Sequence, residues 1–357
     1  MPNHQWNNPS SNSFALSSEE YDLAVPNAAS LMQSLRAFGY DIATAVADLI
    51  DNSITAQANR ISVQFEWNNG NPWISISDNG YGMTEDELFE AMKPGSKNPL
   101  DERSENDLGR FGLGLKTASL SQCKRLTVAS KKDGGRICCR CWDLDVVTQK
   151  NAWLLLKVPT ETAATIIQKH LDKCPSGTIV IWEKIDRIIP GEHVGDEEYQ
   201  RAFLNYAQSV KERISVVFSS YMSGPHKVAF EMNGREISMW DPFMTDNPLT
   251  TRMPTEYLYV NGNEVKIKTF ILPHQKKLSS NEFSLYAGAH GWNAQQGFYI
   301  FRNNRLIVEG SWLLNGFEKA EQYRLARIRI DIGNETDSEW NIDVRKSTAV
   351  PPISIQN

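Results

Sequence analysis

The sequence predicts an α+β fold in which helices and hairpin strands form layers, and three observations carry this reading. Ile61, Val63, Phe65 and Trp67 share one strand face, Asn69-Gly70 supplies hairpin-turn chemistry, and Ile74 and Ile76 continue in a second strand. From Ala28 to Ala58 the pattern is helical with a break at Gly39-Tyr40, and Val46, Leu49, Ile50 and Ile54 fall on one side of the helix. Helices and hairpins stay mixed along the chain, which disfavours a doubly wound parallel sheet.

The remaining elements follow in order. A glycine-rich loop through Gly109, Gly112 and Gly114 leads into a helix near Thr117 to Ser121. Arg125 to Ser130 and Arg136 to Trp142 read as a hairpin around Asp133-Gly134-Gly135. A helix from Glu161 to Leu171 precedes Gly177-Thr178, which opens the strand Ile179 to Trp182. Polar, Pro- and Gly-containing sequence from Asp186 to Glu198 marks a domain boundary. Beyond it come a helix (Tyr199 to Ser215), several strands, a helix around Gly316 to Tyr323 and a last strand, Arg327 to Ile332. The expected organisation is a mobile arm over 1–24, a first domain over 25–188, a second over 189–352 and a tail over 353–357. No internal repeat is visible.

A chain of 357 residues with 41% hydrophobic and 22% charged residues is long enough to bury a large core in two domains or one. It opens without the basic start and apolar stretch of a signal peptide, and no apolar run approaches the roughly 18 residues needed to cross a bilayer. An intracellular, soluble protein with no membrane association is expected, cytoplasmic in a bacterium and with a nuclear location open in a eukaryote. The net charge of −6 argues against a whole-surface attraction to nucleic acid. Lys124, Arg125, Lys131 and Lys132 could form a local basic patch, although a solvated strand edge is the commoner explanation. Three of the five cysteines crowd into Cys138, Cys139 and Cys141, where strand geometry alternates faces and no histidine stands at zinc-site spacing. Reduced structural thiols are expected.

Three constellations could carry chemistry. In Asp48-Leu49-Ile50-Asp51-Asn52, positions i, i+3 and i+4 put two carboxylates and an amide on one helix face, opposite the apolar stripe. Such a face is often merely solvated, but an amide oxygen also suits magnesium, which takes few protein ligands beside phosphate oxygens and waters. In Asp78-Asn79-Gly80-Tyr81-Gly82-Met83, Asp78 has the parity of Ile74 and Ile76, so its carboxylate points to the core side. A buried carboxylate favours a donor partner such as an amino group, whereas Asp-Asn-Gly alone is ordinary turn chemistry. In Gly109-Arg110-Phe111-Gly112-Leu113-Gly114-Leu115-Lys116-Thr117, three glycines leading into a helix form a phosphate cradle, with Lys116 able to add a point charge. Leu115 stands between the last glycine and the lysine, so this is not a P-loop.

The order of these motifs (acidic-x-x-Asp-Asn, Asp-x-Gly-x-Gly-Met, Gly-x-Phe-Gly-x-Gly, then Gly-Thr on a strand) resembles the GHKL superfamily of gyrase B subunits, MutL, the ninety-kilodalton heat-shock chaperone, MORC proteins and histidine kinases. The resemblance covers about residues 25 to 185. It implies a Bergerat-type ATP-binding sandwich, a mixed sheet with helices on one face, followed by a ribosomal-protein-like transducer domain. Asn52 would hold magnesium and Asp78 would receive the adenine amino group, with Thr178 beside it and Gly82 against the base. Gly112 and Gly114 would help enclose the phosphates. Asp51, Gly80, Gly109, Arg110, Phe111, Leu113, Leu115 and Lys116 complete the candidate ATP-binding set, and Met83 and the stretch Lys93 to Asn106 would lie in or lead into a lid. Asp48 falls where hydrolytic members carry a Glu general base. Its shorter arm departs from the pattern and implies slow hydrolysis.

Near the other end, Asn341-Ile342-Asp343-Val344-Arg345-Lys346 resembles the MutL-type segment whose lysine touches the γ-phosphate. Gly297 to Ile307 resembles the strand-turn-strand of MutL and MORC transducers. The resemblance thus implies a magnesium-dependent ATPase with Asp48 and Lys346 as catalytic groups, working as an ATP-gated homodimeric clamp. DNA and a protein partner remain open as further ligands. The alternative is a nucleotide-sensing interaction module with little turnover.

Overall fold

A computed structural model describes residues 24, 26–37, 39–95, 114–191, 196–313, 318–337, 339–343, 346 and 348–352. Nearly all of the N-terminal arm, most of the lid stretch, Gly109 to Leu113, and the 353–357 tail therefore lie outside the described residues.

Two mixed sheets organise the chain. The first runs in the order β4 (Cys138–Asp143), β3 (Arg125–Lys131), β5 (Gly177–Glu183), β2 (Trp73–Asp78), β1 (Arg60–Glu66), β6 (Ala229–Met232), β7 (Arg235–Glu236). Neighbours are antiparallel except β1 and β6, which are parallel. The turn joining β1 to β2 is Asn68–Gly70, where Asn69 and Gly70 take φ of 53° and 86°. Asn and Gly are the residues that reach this left-handed region at least cost.

The helical run divides at Gly39-Tyr40 as its sequence implies, into α1 (Ala28–Arg36) and α2 (Ile42–Thr55). Asp41 caps α2 by accepting the Thr44 N–H at 2.9 Å. Val46, Leu49 and Ile50 sit in the main core with Ile61, Val63, Ile74, Ile76, Val180 and Trp182. On this face α2 packs against α4 (Gly114–Leu120) and α7 (Glu197–Val217), while α1 packs against α4 and α5 (Leu144–Lys150). A short helix, α3 (Glu85–Met92), lies on β4 behind a capping box between Thr84 and Glu87. The opposite face carries α6 (Glu161–Leu171), which sets Ala163, Ile167 and Leu171 against Ala129, Ile179 and Ile181. Burial of both faces of β5 accounts for its unbroken apolar run, Ile179 to Trp182.

The second sheet has the order β12 (Arg305–Ser311), β11 (Gly297–Arg302), β13 (Ala326–Ile332), β10 (Asn263–Ile271), β8 (Thr251–Arg252), with β9 (Glu256–Val260) also on β10. Its β11 and β13 are parallel. Its own core gathers Val265, Ile300, Ile307, Ile330 and Ile332 with Trp340 and Ile342 from the chain after β13. A last helix, α8 (Ser280–Tyr286), lies between β10 and β11 in sequence.

Some outcomes differ from the pattern reading. β6 and β7 come from beyond residue 188 yet extend the first sheet. The short helices α3, α5 and α8 carry too few turns to show a clear period. The helix expected around Gly316 to Tyr323 is, among the described residues, only a 3₁₀ turn at Glu321–Tyr323. There the Ala320 N–H donates to Gln296 Oε1 at 3.0 Å, so a tertiary contact takes a donor that a helix would use.

Candidate functional site

The site begins at the end of β2. Register aligns Asp78 with Thr178 on β5, and Thr178 with Ser130 on β3, placing these polar residues in a row across three strands. The Asp78 carboxylate is buried at 6% exposure. It accepts Ser53 Oγ at 2.8 Å and the Gly80 N–H at 2.9 Å. Among the described residues no lysine or arginine pairs with it. Burial pushes the Asp78 carboxyl up, against the Gly80 and Ser53 donors that hold it down. A buried carboxylate with spare lone pairs and no cation is suited to a ligand N–H donor.

The loop after β2 approaches the sheet closely. Gly82 has φ +67°, and a Cβ there would stand 2.0 Å from the Lys131 carbonyl oxygen; one at Gly80 would stand 2.6 Å from that of Ala56. Neither position accepts a side chain without backbone movement. Ser130 ties this loop down: its Oγ accepts the Met83 N–H at 2.8 Å and lies 2.8 Å from Thr178 Oγ1. Of the glycine-rich segment, Gly109, Arg110, Phe111, Gly112 and Leu113 lie outside the described residues. Gly114 begins α4, Leu115 packs partly on the core, and Lys116 is buried with Nζ donating to the Ala91 carbonyl at 2.8 Å.

One turn before Ser53, α2 carries the acidic face. Asn52 is exposed, whereas Asp48 and Asp51 are 4% and 1% exposed. The cover comes from the second half of the chain. Arg305 Nε donates to both oxygens of Asp51 at 2.9 Å, and Lys346 Nζ stands 2.5 Å from Asp51 Oδ2. Asp48 Oδ1 lies 3.5 Å from Lys346 Nζ and from Arg305 Nη2. Two carboxylates and two cations thus compensate within a buried cluster. Burial, and the charge of Asp51, raise the Asp48 carboxyl, while Lys346 and Arg305 oppose this. The Tyr40 phenol is buried beside Asp48, and burial together with that negative charge pushes it up. Asn52 links the two ends, adjoining Ser53 on the Asp78 side and standing one turn from Asp48.

Residues 40–178 match the family described as Histidine kinase-, DNA gyrase B-, and HSP90-like ATPase. This segment belongs to that family. The chain is similar to part of the DNA mismatch repair protein MutL of Thermotoga maritima, 38% identical over 90 residues, 24% of this chain and 17% of that protein. It is also similar to ATPase morc-1 of Caenorhabditis elegans, 30% identical over 91 residues, 26% of this chain and 10% of that protein. A longer likeness, 23% identical over 265 residues, joins 68% of this chain to 42% of the MutL of Histophilus somni. The chain therefore matches less than half the length of each of these relatives.

Sequence reasoning brought Asp48, Asp51, Asn52, Asp78, Gly80, Gly82, Met83, Thr178 and Lys346 forward, and the structure gathers Asp48, Asp51 and Lys346 in one cluster on the C-terminal half of α2 and Asp78, Gly80 and Thr178 in another, which Ser53 joins to the same half of the helix. It missed Ser53, Ser130, Tyr40 and the role of Arg305. Ser53 was legible as the residue after Asn52 on a helix facing the sheet. Arg305 sits within the strand-turn-strand already singled out, but its partner is more than 250 residues away. Five free cysteines complete the inventory, with the Cys139 thiol pushed up by burial to about 12. No helix among the described residues is long and apolar enough to cross a membrane.

Proposed function

We propose that this chain binds ATP with magnesium in the GHKL domain, hydrolyses it slowly, and uses it to close two copies into a clamp. The observation that carries the nucleotide reading is Asp78: a buried carboxylate with no lysine or arginine partner among the described residues, beside a loop whose glycines approach the neighbouring backbone closely, on a segment that matches the GHKL family. Asp78 would accept the adenine amino group, with Ser53, Thr178 and Ser130 fixing its orientation. Asn52, exposed beside the acidic pair, fits a hard cation through its amide oxygen. Magnesium bound there would neutralise phosphate charge. Asp48 would take the proton of the attacking water, and Lys346 would place a positive end group against the terminal phosphate, so positioning and electrostatics would supply most of the catalysis.

A transducer role for the second sheet is supported by the likeness to MutL and MORC proteins and by the reach of Lys346 and Arg305 into the GHKL segment, and homodimeric closure rests on that likeness alone. A DNA-associated role is supported by the name of the MutL relatives, DNA mismatch repair protein. Its test is duplex binding at two salt concentrations, since phosphate contacts weaken steeply with salt. Binding that is absent, or indifferent to salt, removes the DNA role.

A second reading, a nucleotide sensor with little turnover, is favoured by Asp48 itself. It is one methylene shorter than Glu and is already engaged by two cations. Phosphate release by the native protein, Asp48→Ala and Asp48→Glu separates the readings. The clamp ATPase predicts a loss of about a hundredfold or more in Asp48→Ala and retained or faster release in Asp48→Glu. Equal background release in all three selects the sensor.

A further inference from the structure

We infer that Arg305 is a positioning residue for the terminal-phosphate end of the site, the fixed cation that lets Lys346 act as the movable one. This rests on the nucleotide reading above. The geometry distinguishes the two cations. Arg305 is fully buried and opens β12 directly after the Asn303-Asn304 turn, whose residues take φ of 47° and 66°. That pattern suits a two-residue hairpin turn, and it fixes where the side chain starts. The turn is itself anchored, with the Asn303 N–H donating to the Ile332 carbonyl at 3.1 Å. From this base the guanidinium makes two kinds of contact. Nε holds both oxygens of Asp51, and Nη1 donates to the backbone carbonyl of Lys346 at 3.1 Å.

Lys346 is placed differently. Its φ is +50°, a conformation that a lysine holds only when its surroundings impose it, and the Arg305 contact to its carbonyl is one such restraint. Its Nζ is shared unequally, 2.5 Å from Asp51 and 3.5 Å from Asp48. A lysine end group serves as a point charge on a flexible stem, whereas the planar fork of arginine suits a fixed multidentate contact. If Lys346 Nζ turns toward a terminal phosphate, Asp51 would lose its nearest cation. The Nε contact of Arg305 keeps that carboxylate compensated, so the exchange leaves no bare buried charge. Arg305 also holds the Lys346 backbone while the side chain turns. Without Arg305, Asp51 would retain Lys346 and the preference for a third phosphate would fade.

The test measures dissociation constants for ADP and for a non-hydrolysable ATP analogue, each with magnesium, on the full chain. Wild type should favour the triphosphate by about tenfold or more, the scale of one charge-assisted contact. Lys346→Met should abolish that preference. Arg305→Lys keeps the compensating charge but cannot hold Asp51 and the Lys346 carbonyl together, and Arg305→Gln removes the charge. Both should lower the triphosphate-to-ADP ratio toward that of Lys346→Met. A thermal melt shows which variants are folded, and Arg305→Lys serves where Arg305→Gln is not. A wild-type ratio in folded Arg305→Lys overturns the inference. So does equal weakening of both nucleotides, which marks a merely structural role. If wild type binds neither nucleotide, the nucleotide reading falls and takes this inference with it; if it binds both and discriminates, only the role of Arg305 is at stake.

Discussion

At the scale of residues, two aspartates on the same side of the first sheet have opposite surroundings. Asp51 is met by two cations, whereas Asp78 accepts from a hydroxyl and a backbone N–H and has no lysine or arginine partner among the described residues. The carboxyl of Asp78 is raised in the fold relative to the unfolded chain, with burial as the main cause. Its contribution is therefore favourable below the unfolded carboxylate range and is lost as pH rises through the folded value. Asp78→Asn should stabilise the nucleotide-free protein near neutral pH by roughly 1 kcal/mol, the usual exchange of stability for function at such sites. The difference should vanish in acid, and melting curves of both proteins across pH check this. A second prediction concerns Lys346. Truncation to Met leaves two buried carboxylates with one cation and should cost about 3 kcal/mol in chemical denaturation, the scale of an unbalanced buried charge.

Elements decide how such residues are presented, and here legibility in sequence was uneven. The helix α2 and the β1–β2 hairpin were readable because burial on one face imposes a period, and the parity of Asp78 with Ile74 and Ile76 correctly placed its carboxylate inward. The helix expected near Gly316 reduced to a 3₁₀ turn in its described part, because Gln296 takes a backbone donor there, a contact no local pattern encodes. Helix α3 has a clear local signal in retrospect, the Thr84 and Glu87 capping box. Thr84→Ala should lower stability by about 1 kcal/mol by leaving first-turn donors bare, with nucleotide affinity little changed. Gly82→Ala should do both kinds of harm. The added methyl meets the Lys131 carbonyl, so the loop must move; the expected cost exceeds about 1 kcal/mol, and nucleotide affinity should fall with it. Equilibrium unfolding and nucleotide titration of the pair separate these effects.

For the whole molecule, the order of motifs carried more than any single one, and the family match over residues 40–178 spans the stretch in which they succeed one another. What the sequence hid was the long-range pairing of Arg305 and Lys346 with α2, because charge pairs between distant segments leave no periodic trace. That pairing joins the second half of the chain to the segment that matches the GHKL family, whereas the expectation that ATP closes a dimer rests on the resemblance to MutL and MORC proteins. Light scattering with a non-hydrolysable analogue and magnesium should show twice the mass seen with ADP, and an unchanged mass would remove the clamp. Beneath that sits the nucleotide itself. The direct measurement is titration calorimetry of ATP with magnesium into the native protein and Asp78→Asn. The predicted result is one site per chain in the native protein and none detectable in the variant; no uptake by the native protein, or equal uptake by both, would contradict the account.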